Sequence, residues 1–332
     1  MELHGGYRIM KFKEMLKTSK VTHGMYLKYK NEKNRIDVKN KLKCNYKYIN
    51  RSSGKEKLCI ILAGYKEFLY DSVFGRIKKF ITSDIDVCVV TSGLYSDTVA
   101  ELCATNNWSY LSTKENNVSL VQNVAISLHK KAKFIFKLDE DVFVTKGYFD
   151  NMLRAYEHAS NEDYNPGVLA PILNINGFAH LLLLKKLKLE SLYANMFELP
   201  KYAAGRHRQV ESNPDVAKFF WGEGGYIPSI DYLNEQFSNM ELVETACPIR
   251  FSIGAILFTR SLWREMGYFK VNRNSNNMGA DEVQICSYCL EKSRPLMVSE
   301  NIVVGHLSFG NQNEAMKDYY IKNKRIFEVP NN

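Results

Sequence analysis

Short unbroken apolar runs alternate along the chain with segments whose apolar residues recur at three- and four-residue spacing. "LCIILAG" (58–64), "DVCVVTS" (86–92), "WSYLST" (108–113) and "FIFKL" (134–138) have the length and the β-branched or aromatic content of buried strands. Between them, "FLYDSVFGRIKKFI" (68–81), "SDTVAELCATNN" (96–107) and "SLVQNVAISLHKKA" (119–132) carry helical periodicity, the last with Val121, Val124, Ala125 and Leu128 on one face. Strands alternating with helices predict an α/β fold with a mainly parallel central sheet flanked by helices. In such sheets ligands sit at the carboxyl ends of the strands.

Beyond residue 145 the alternation loosens and predicts a smaller subregion beside the sheet. A helix is expected over 146–160, a strand and its exit loop over 167–177, and a basic, leucine-rich helix over 180–192. A strand followed by a short helix is expected within 249–269, a turn leading into a helix over 278–293, and a last strand within 301–310. There is no internal repeat and no low-complexity tract.

Charge divides the chain. Residues 1–57 hold 16 Lys and Arg against 5 Asp and Glu, so the whole-chain excess of +9 belongs to this segment and the remainder is close to neutral. That distribution excludes a uniformly basic nucleic-acid binder. It suggests a solvated N-terminal extension (1–57), joined by a linker "SSGKEK" to one domain over 58–312, with a tail over 313–332. The extension could also meet anionic lipid headgroups. No apolar run reaches the ~18 residues of a membrane span, and the first twenty residues lack the apolar core of a secretory signal, so a cytoplasmic protein is expected. The seven cysteines suit reduced thiols. Cys286 and Cys289 form a C-x-x-C pair without a second pair, which reads as two buried helix cysteines one turn apart.

The chemistry concentrates at "FIFKLDEDVFV" (134–144), where a strand runs into Asp139, Glu140 and Asp141. Three like charges beside a core are costly unless they are paired or hold a metal. Residues two apart on an extended segment face the same way, so Asp139 and Asp141 converge while Glu140 points elsewhere. Two carboxylates with open coordination positions suit Mg²⁺ or Mn²⁺ completed by phosphate oxygens. Pairing with nearby Lys or Arg is the alternative.

In these residues the chain resembles the nucleotide-sugar-dependent glycosyltransferases of the GT-A fold, a Rossmann-like architecture, and among them the family-2-like set. "IILAGYKEFL" is similar to the first strand and its exit turn, which brings in Ala63, Gly64 and Tyr65. "VVTSGLYSDTVAEL" is similar to the second strand with its turn, including Ser92. "NNVSLVQNVAISLHKKAKFIFKLDEDVFV" is similar to an Asn-rich turn, a helix bearing Gln122 and Asn123, and a strand ending in Asp-x-Asp. The resemblance implies that Asp139 contacts the donor ribose or metal, that Asp141 binds the metal, and that Ala63, Gly64, Tyr65, Ser92 and Asn123 border a donor, with UDP the commonest carrier. Two positions depart from the pattern: Thr91-Ser92 replaces the usual acid of the second strand, and Gln122 replaces an Arg.

In the second half, "GAILFTRSLWREMGYF" and "GADEVQIC" resemble the acceptor-side segment and its acidic helix start. The resemblance implies Glu282 as general base on an acceptor hydroxyl, with Asp281 as substitute, and makes the reaction inverting. The order Asp-Glu reverses the family's Glu-Asp. His306 in "VVGHLSFG" would complete the metal shell beside Asp141. Trp221 and Glu223 of "WGEGGY", with Gly254, would line an acceptor site, although an anchoring Trp in a turn explains the first two as well. By this resemblance the partners are a nucleotide-sugar and a glycan or lipid-linked acceptor in surface polysaccharide synthesis. A sugar-phosphate nucleotidylyltransferase would need a glycine-rich loop after residue 64, where "YKEFL" stands. A non-catalytic carbohydrate-binding or scaffold protein of the same fold is the third reading.

Overall fold

The computed structural model describes residues 36–205, 207–272 and 279–329. Residues 36–42 form a helix in a first unit that ends at Lys43. The second unit begins at Cys44 and holds a ten-stranded sheet. Its strands are β1 (Tyr46–Ile49), β2 (Lys57–Leu62), β3 (Ile85–Ser92), β4 (Ser109–Thr113), β5 (Phe134–Asp139), β6 (Val142–Phe143), β7 (Val168–Leu173), β8 (Glu244–Cys247), β9 (Ala255–Thr259) and β10 (Leu296–His306). Their order is β1-β4-β3-β2-β5-β9-β7-β10-β6, with β8 also on β10.

β2, β3, β4 and β5 are parallel neighbours, as the alternating pattern predicts. β7 and β10 are a further parallel pair running in the same direction. The reversal comes at β9, which is antiparallel to both β5 and β7. Because β9 runs backwards, its first residue, Ala255, lies opposite Leu138 near the carboxyl end of β5. Residues 250–254 are thereby delivered to the acids, and Asp139 N–H donates to the Gly254 carbonyl at 2.8 Å.

Helices cover the sheet, among them α1 (Tyr70–Phe80), α2 (Asp97–Thr105) and α3 (Val118–Leu128). In α3 residues 119–126 are all buried, so the helix runs through the interior rather than along a surface. The leucine-rich segment forms α4 (Ala179–Leu187) and a separate short helix over Glu190–Met196. Leu181, Leu182, Leu183 and Leu184 are all buried, so these leucines are core.

Both expected domain edges shift. β1 pairs with β4, so residues 46–49 of the basic segment belong to the sheet. The expected linker is clasped: the buried Asp86 carboxylate accepts from the backbone N–H of Ser53, Gly54 and Lys55 and from both serine hydroxyls. At the other end, the expected tail forms α5 (Asn313–Lys322) and buries Phe327 completely against Trp221 and Phe143. Arg76 of α1, wholly buried, ties this end down. It makes a bidentate pair with Asp231 (2.8 and 2.7 Å) and donates to the carbonyls of Val144, Phe327 and Glu328. Residues 1–35 of the basic segment lie outside the described residues. Among the described residues no helix is long and apolar enough to cross a membrane.

Candidate active site

The register of β2 against β5 sets Leu62 opposite Asp139, so the turn that leaves β2 runs beside the acids. Gly64, at φ +128°, bends that turn into a conformation that side chains rarely adopt. Glu140 holds it: one carboxylate oxygen accepts from Gly64 N–H at 2.8 Å and the other from Tyr65 N–H at 3.0 Å. Burial raises the Glu140 pKa, and these backbone donors pull against the rise. The middle acid is thus the anchor of the 63–66 turn.

The outer two acids each hold a lysine. Lys137 Nζ bonds Asp139 Oδ1 at 2.6 Å, and Lys66 Nζ bonds Asp141 Oδ2 at 2.5 Å. A third of the Asp139 side chain is open to solvent. The surrounding protein desolvates it enough to raise its pKa, against the pull of Lys137. Asp141 is buried, which alone would raise its pKa, but Lys66 and then His306 outweigh that and hold it below the usual carboxylate range. The sequence offered a signal for Lys137, which sits two residues before Asp139 on the same strand face. For Lys66 it offered none, because only the β2–β5 register brings it near.

β10 delivers His306 to the same place. Its pairing with β6 sets His306 opposite Val142, and Leu307 N–H donates to the Asp141 carbonyl at 3.0 Å. His306 Nδ1 lies 3.2 Å from the Ile175 carbonyl, which can only accept, so Nδ1 carries the proton. In the neutral ring Nε2 then turns a lone pair toward Asp141 Oδ2 at 3.5 Å. Two acceptors facing one another call for a proton or a cation between them. Ligands of one octahedral Mg²⁺ or Mn²⁺ stand ~3 Å apart, given bond lengths of 2.0–2.1 Å, so at 3.5 Å the pair would close by about half an ångström to share one. Gly254 leaves room beside it, for a Cβ there would stand 3.5 Å from Asp139 Oδ2 and 3.8 Å from His306 Cδ2. Among the described residues no group of three or more His, Cys, Asp or Glu is placed to hold a metal ion. A carboxylate and an imidazole would serve a hard cation only with further ligands, such as phosphate oxygens, completing its shell.

Asp281 and Glu282 begin α6 (Ala280–Glu291) and diverge. Asp281 is buried and accepts from Gln122 Nε2 at 2.8 Å, which ties this helix to α3. Glu282 leaves 18% of its side chain exposed and pairs with Arg250 at 3.0 Å. Burial raises its pKa to about 7, against the pull of Arg250 and Lys137 and with the help of Asp281 and Glu211. Lys137, the partner of Asp139, is close enough for its charge to bear on Glu282. Glu211 reaches this neighbourhood with its carboxylate on Gly205 N–H at 2.7 Å, a contribution with no mark in the sequence.

At the neighbouring strand ends, Ala63 is buried, and Ser92 Oγ accepts from Asn117 N–H, the cap of α3. Tyr65 is 66% exposed, with its hydroxyl 3.4 Å from Asn116 Oδ1 and from the Ser92 carbonyl. Its ring forms an open aromatic face beside the ends of β2, β3 and β4.

Two expected contacts are corrected. Asn123 is fully buried and its amide is spent on the 263–269 segment: Oδ1 accepts from Trp263 Nε1 and Phe269 N–H at 2.9 Å, and Nδ2 donates to the Phe269 carbonyl at 2.8 Å. It clamps α3 to that segment. Trp221 is also buried, donates to the His306 carbonyl at 3.0 Å and packs on Phe143 and Phe327. It is the anchor of the turn and holds His306 from behind. Glu223 stands on the exposed glycine turn beyond it. Cys286 and Cys289 are buried free thiols whose pKa burial raises to about 11 and about 12, in keeping with a structural role.

No family model matches the chain, and no curated protein matches it. Solved structures that it resembles include the mannosyltransferase PcManGT from Pyrobaculum calidifontis in complex with GDP-Man and Mn²⁺, at 12% identity over 89% of this chain and 71% of that one, with a TM-score of 0.45. S. aureus TarS is matched at 13% identity over 81% of this chain and 39% of that one, with a TM-score of 0.41. Likenesses of this degree carry no assignment, which has to come from the site itself.

Proposed function

We propose that the chain is a glycosyltransferase that moves a sugar from a nucleoside diphosphate carrier, UDP by preference, to a hydroxyl of a glycan or lipid-linked acceptor. What supports this reading is that His306 Nε2 lies 3.5 Å from Asp141 Oδ2, next to the strand end that carries Asp139, and that burial raises the Glu282 pKa to about 7. The first group suits the binding of a charged diphosphate with its cation, and the second suits proton removal at neutral pH.

In this reading Asp141 and His306, with Asp139 beside them, would hold Mn²⁺ or Mg²⁺ together with the donor's phosphate oxygens, and the cation would neutralise the diphosphate leaving group. Glu140 fixes the 63–66 turn, and the exposed Tyr65 ring offers a stacking face for a nucleobase, with Ser92 beside it. Glu282 takes the proton of the acceptor hydroxyl as its oxygen attacks the anomeric carbon from the side opposite the diphosphate. A base with a pKa close to the working pH combines a large deprotonated fraction with useful basicity. A single displacement of this kind inverts the anomeric configuration. Gly254 leaves space beside Asp139 and His306. The basic segment 1–57 would hold the enzyme against an anionic cytoplasmic membrane surface when the acceptor is lipid-linked.

The test is a donor panel: the full chain with several nucleotide sugars and Mn²⁺, read by released nucleoside diphosphate. Release that requires one particular donor supports the reading, and no release from any donor in the presence of varied sugar acceptors counts against it.

A further inference from the structure

The two lysines that neutralise the acids are held differently. Lys137 is 3% exposed and its ammonium bonds both Asp139 Oδ1 (2.6 Å) and the Ile253 carbonyl (2.7 Å), so it is a fixed part of the sheet. Lys66 is 19% exposed, and among the described residues its ammonium bonds Asp141. Glu140 pins the backbone on which Lys66 sits, while the four-carbon stem keeps its own rotations. On the other side of the same Asp141 oxygen stands His306 Nε2, at 3.5 Å.

We propose that Lys66 is an exchangeable counter-ion, which neutralises Asp141 while the donor site is empty and moves to the donor's diphosphate when a divalent cation takes Asp141. This deepens the glycosyltransferase reading and rests on it. A carboxylate as buried as Asp141 needs a positive partner at all times. An ammonium and a divalent cation on the same carboxylate oxygen repel each other, so the arrival of one displaces the other. The displaced ammonium then needs an anion within reach, and a diphosphate is the anion that accompanies the cation. The turn has little else to offer it, since the N–H groups of Gly64 and Tyr65 are committed to Glu140. Lys66 thus guards the acid cluster against metal alone and favours metal and diphosphate together.

Calorimetric titration of the full chain decides the matter, with Mn²⁺ alone and with inorganic pyrophosphate at saturating Mn²⁺ as probes. Lys66→Met is expected to bind Mn²⁺ alone roughly tenfold or more tightly than the unaltered protein, and pyrophosphate roughly tenfold or more weakly, the worth of one charge-assisted hydrogen bond. Equal Mn²⁺ affinity in the two proteins, or equal pyrophosphate affinity, overturns the exchange. Lys66→Arg keeps the cation and safeguards the test should Lys66→Met fail to fold. It is expected to resist Mn²⁺ alone as the unaltered protein does, and tight Mn²⁺ binding by it overturns the exchange. If the unaltered protein binds no Mn²⁺ even with pyrophosphate, the metal-dependent reading falls with the proposal. If it binds both and Lys66→Met changes neither, the exchange alone falls.

Discussion

Arg250 Nε lies 3.0 Å from Glu282 Oε1, so a half-exposed guanidinium partly neutralises a carboxylate that is otherwise well buried. The two act in opposite directions on the same proton. Burial raises the Glu282 pKa to about 7, and without Arg250 it would stand higher still.

The base must be deprotonated to act, so activity should fall as pH drops through about 7. Arg250→Gln removes a lowering charge and should move this acid limb to higher pH. Lys137, Asp281 and Glu211, the other charged groups that bear on Glu282, stay in place. A pH–rate profile of kcat checks this: an unmoved limb in Arg250→Gln would separate the observed titration from Glu282.

Metal dependence should be strong. Chelation should abolish turnover, and Asp141→Asn should lower it by more than about 10²-fold, since even partners behind a metal ligand are worth 10–100-fold. Nucleotide affinity in Mn²⁺ should fall in the same variant. Turnover that persists in excess chelator would be the contrary result.

The parallel half of the sheet was legible because β2, β3, β4 and β5 are short segments rich in β-branched, aromatic and other buried residues, separated by amphipathic or buried helices. β1 and β8 escaped notice because they are short edge strands, each only half-buried, whose sequences "YKYI" and "ETAC" carry no clear alternation. Asp139, Asp141 and His306 were legible as chemistry, since acids and a histidine at strand ends are costly without a purpose. Of their lysine partners, Lys137 shares a strand face with Asp139, whereas Lys66 depends on the β2–β5 register. For Asn123 and Trp221 the sequence could not decide, because polar atoms on otherwise core positions can be satisfied inside the protein, and only the contacts tell this apart from ligand binding.

Arg76 and Asp231 give a stability prediction. Asp231→Ala leaves a wholly buried guanidinium without its carboxylate, although three carbonyls still accept from it. The expected cost is about 3–5 kcal/mol, as for other buried pairs broken on one side. Denaturant unfolding measures it, and early proteolysis near Phe327 should accompany it because Arg76 holds that end of the chain.

The basic segment should bind anionic vesicles in proportion to its charge, at about 1 kcal/mol per basic residue near the surface. Sedimentation with anionic liposomes should weaken with salt and drop when residues 1–43 are removed, a cut that spares β1. Equal binding by the shortened chain would leave the segment with no part in membrane attachment.

Nucleotide-sugar turnover by a single displacement at Glu282 is tested most directly by one comparison. The unaltered chain and Glu282→Gln are given the donor that the panel selects, with Mn²⁺ and acceptor, and product formation and anomeric configuration are followed by NMR. Expected is an inverted product from the unaltered chain and a rate roughly 10²–10⁴-fold lower in Glu282→Gln, with donor affinity nearly unchanged. A product of retained configuration, or an undiminished rate in Glu282→Gln, would contradict it.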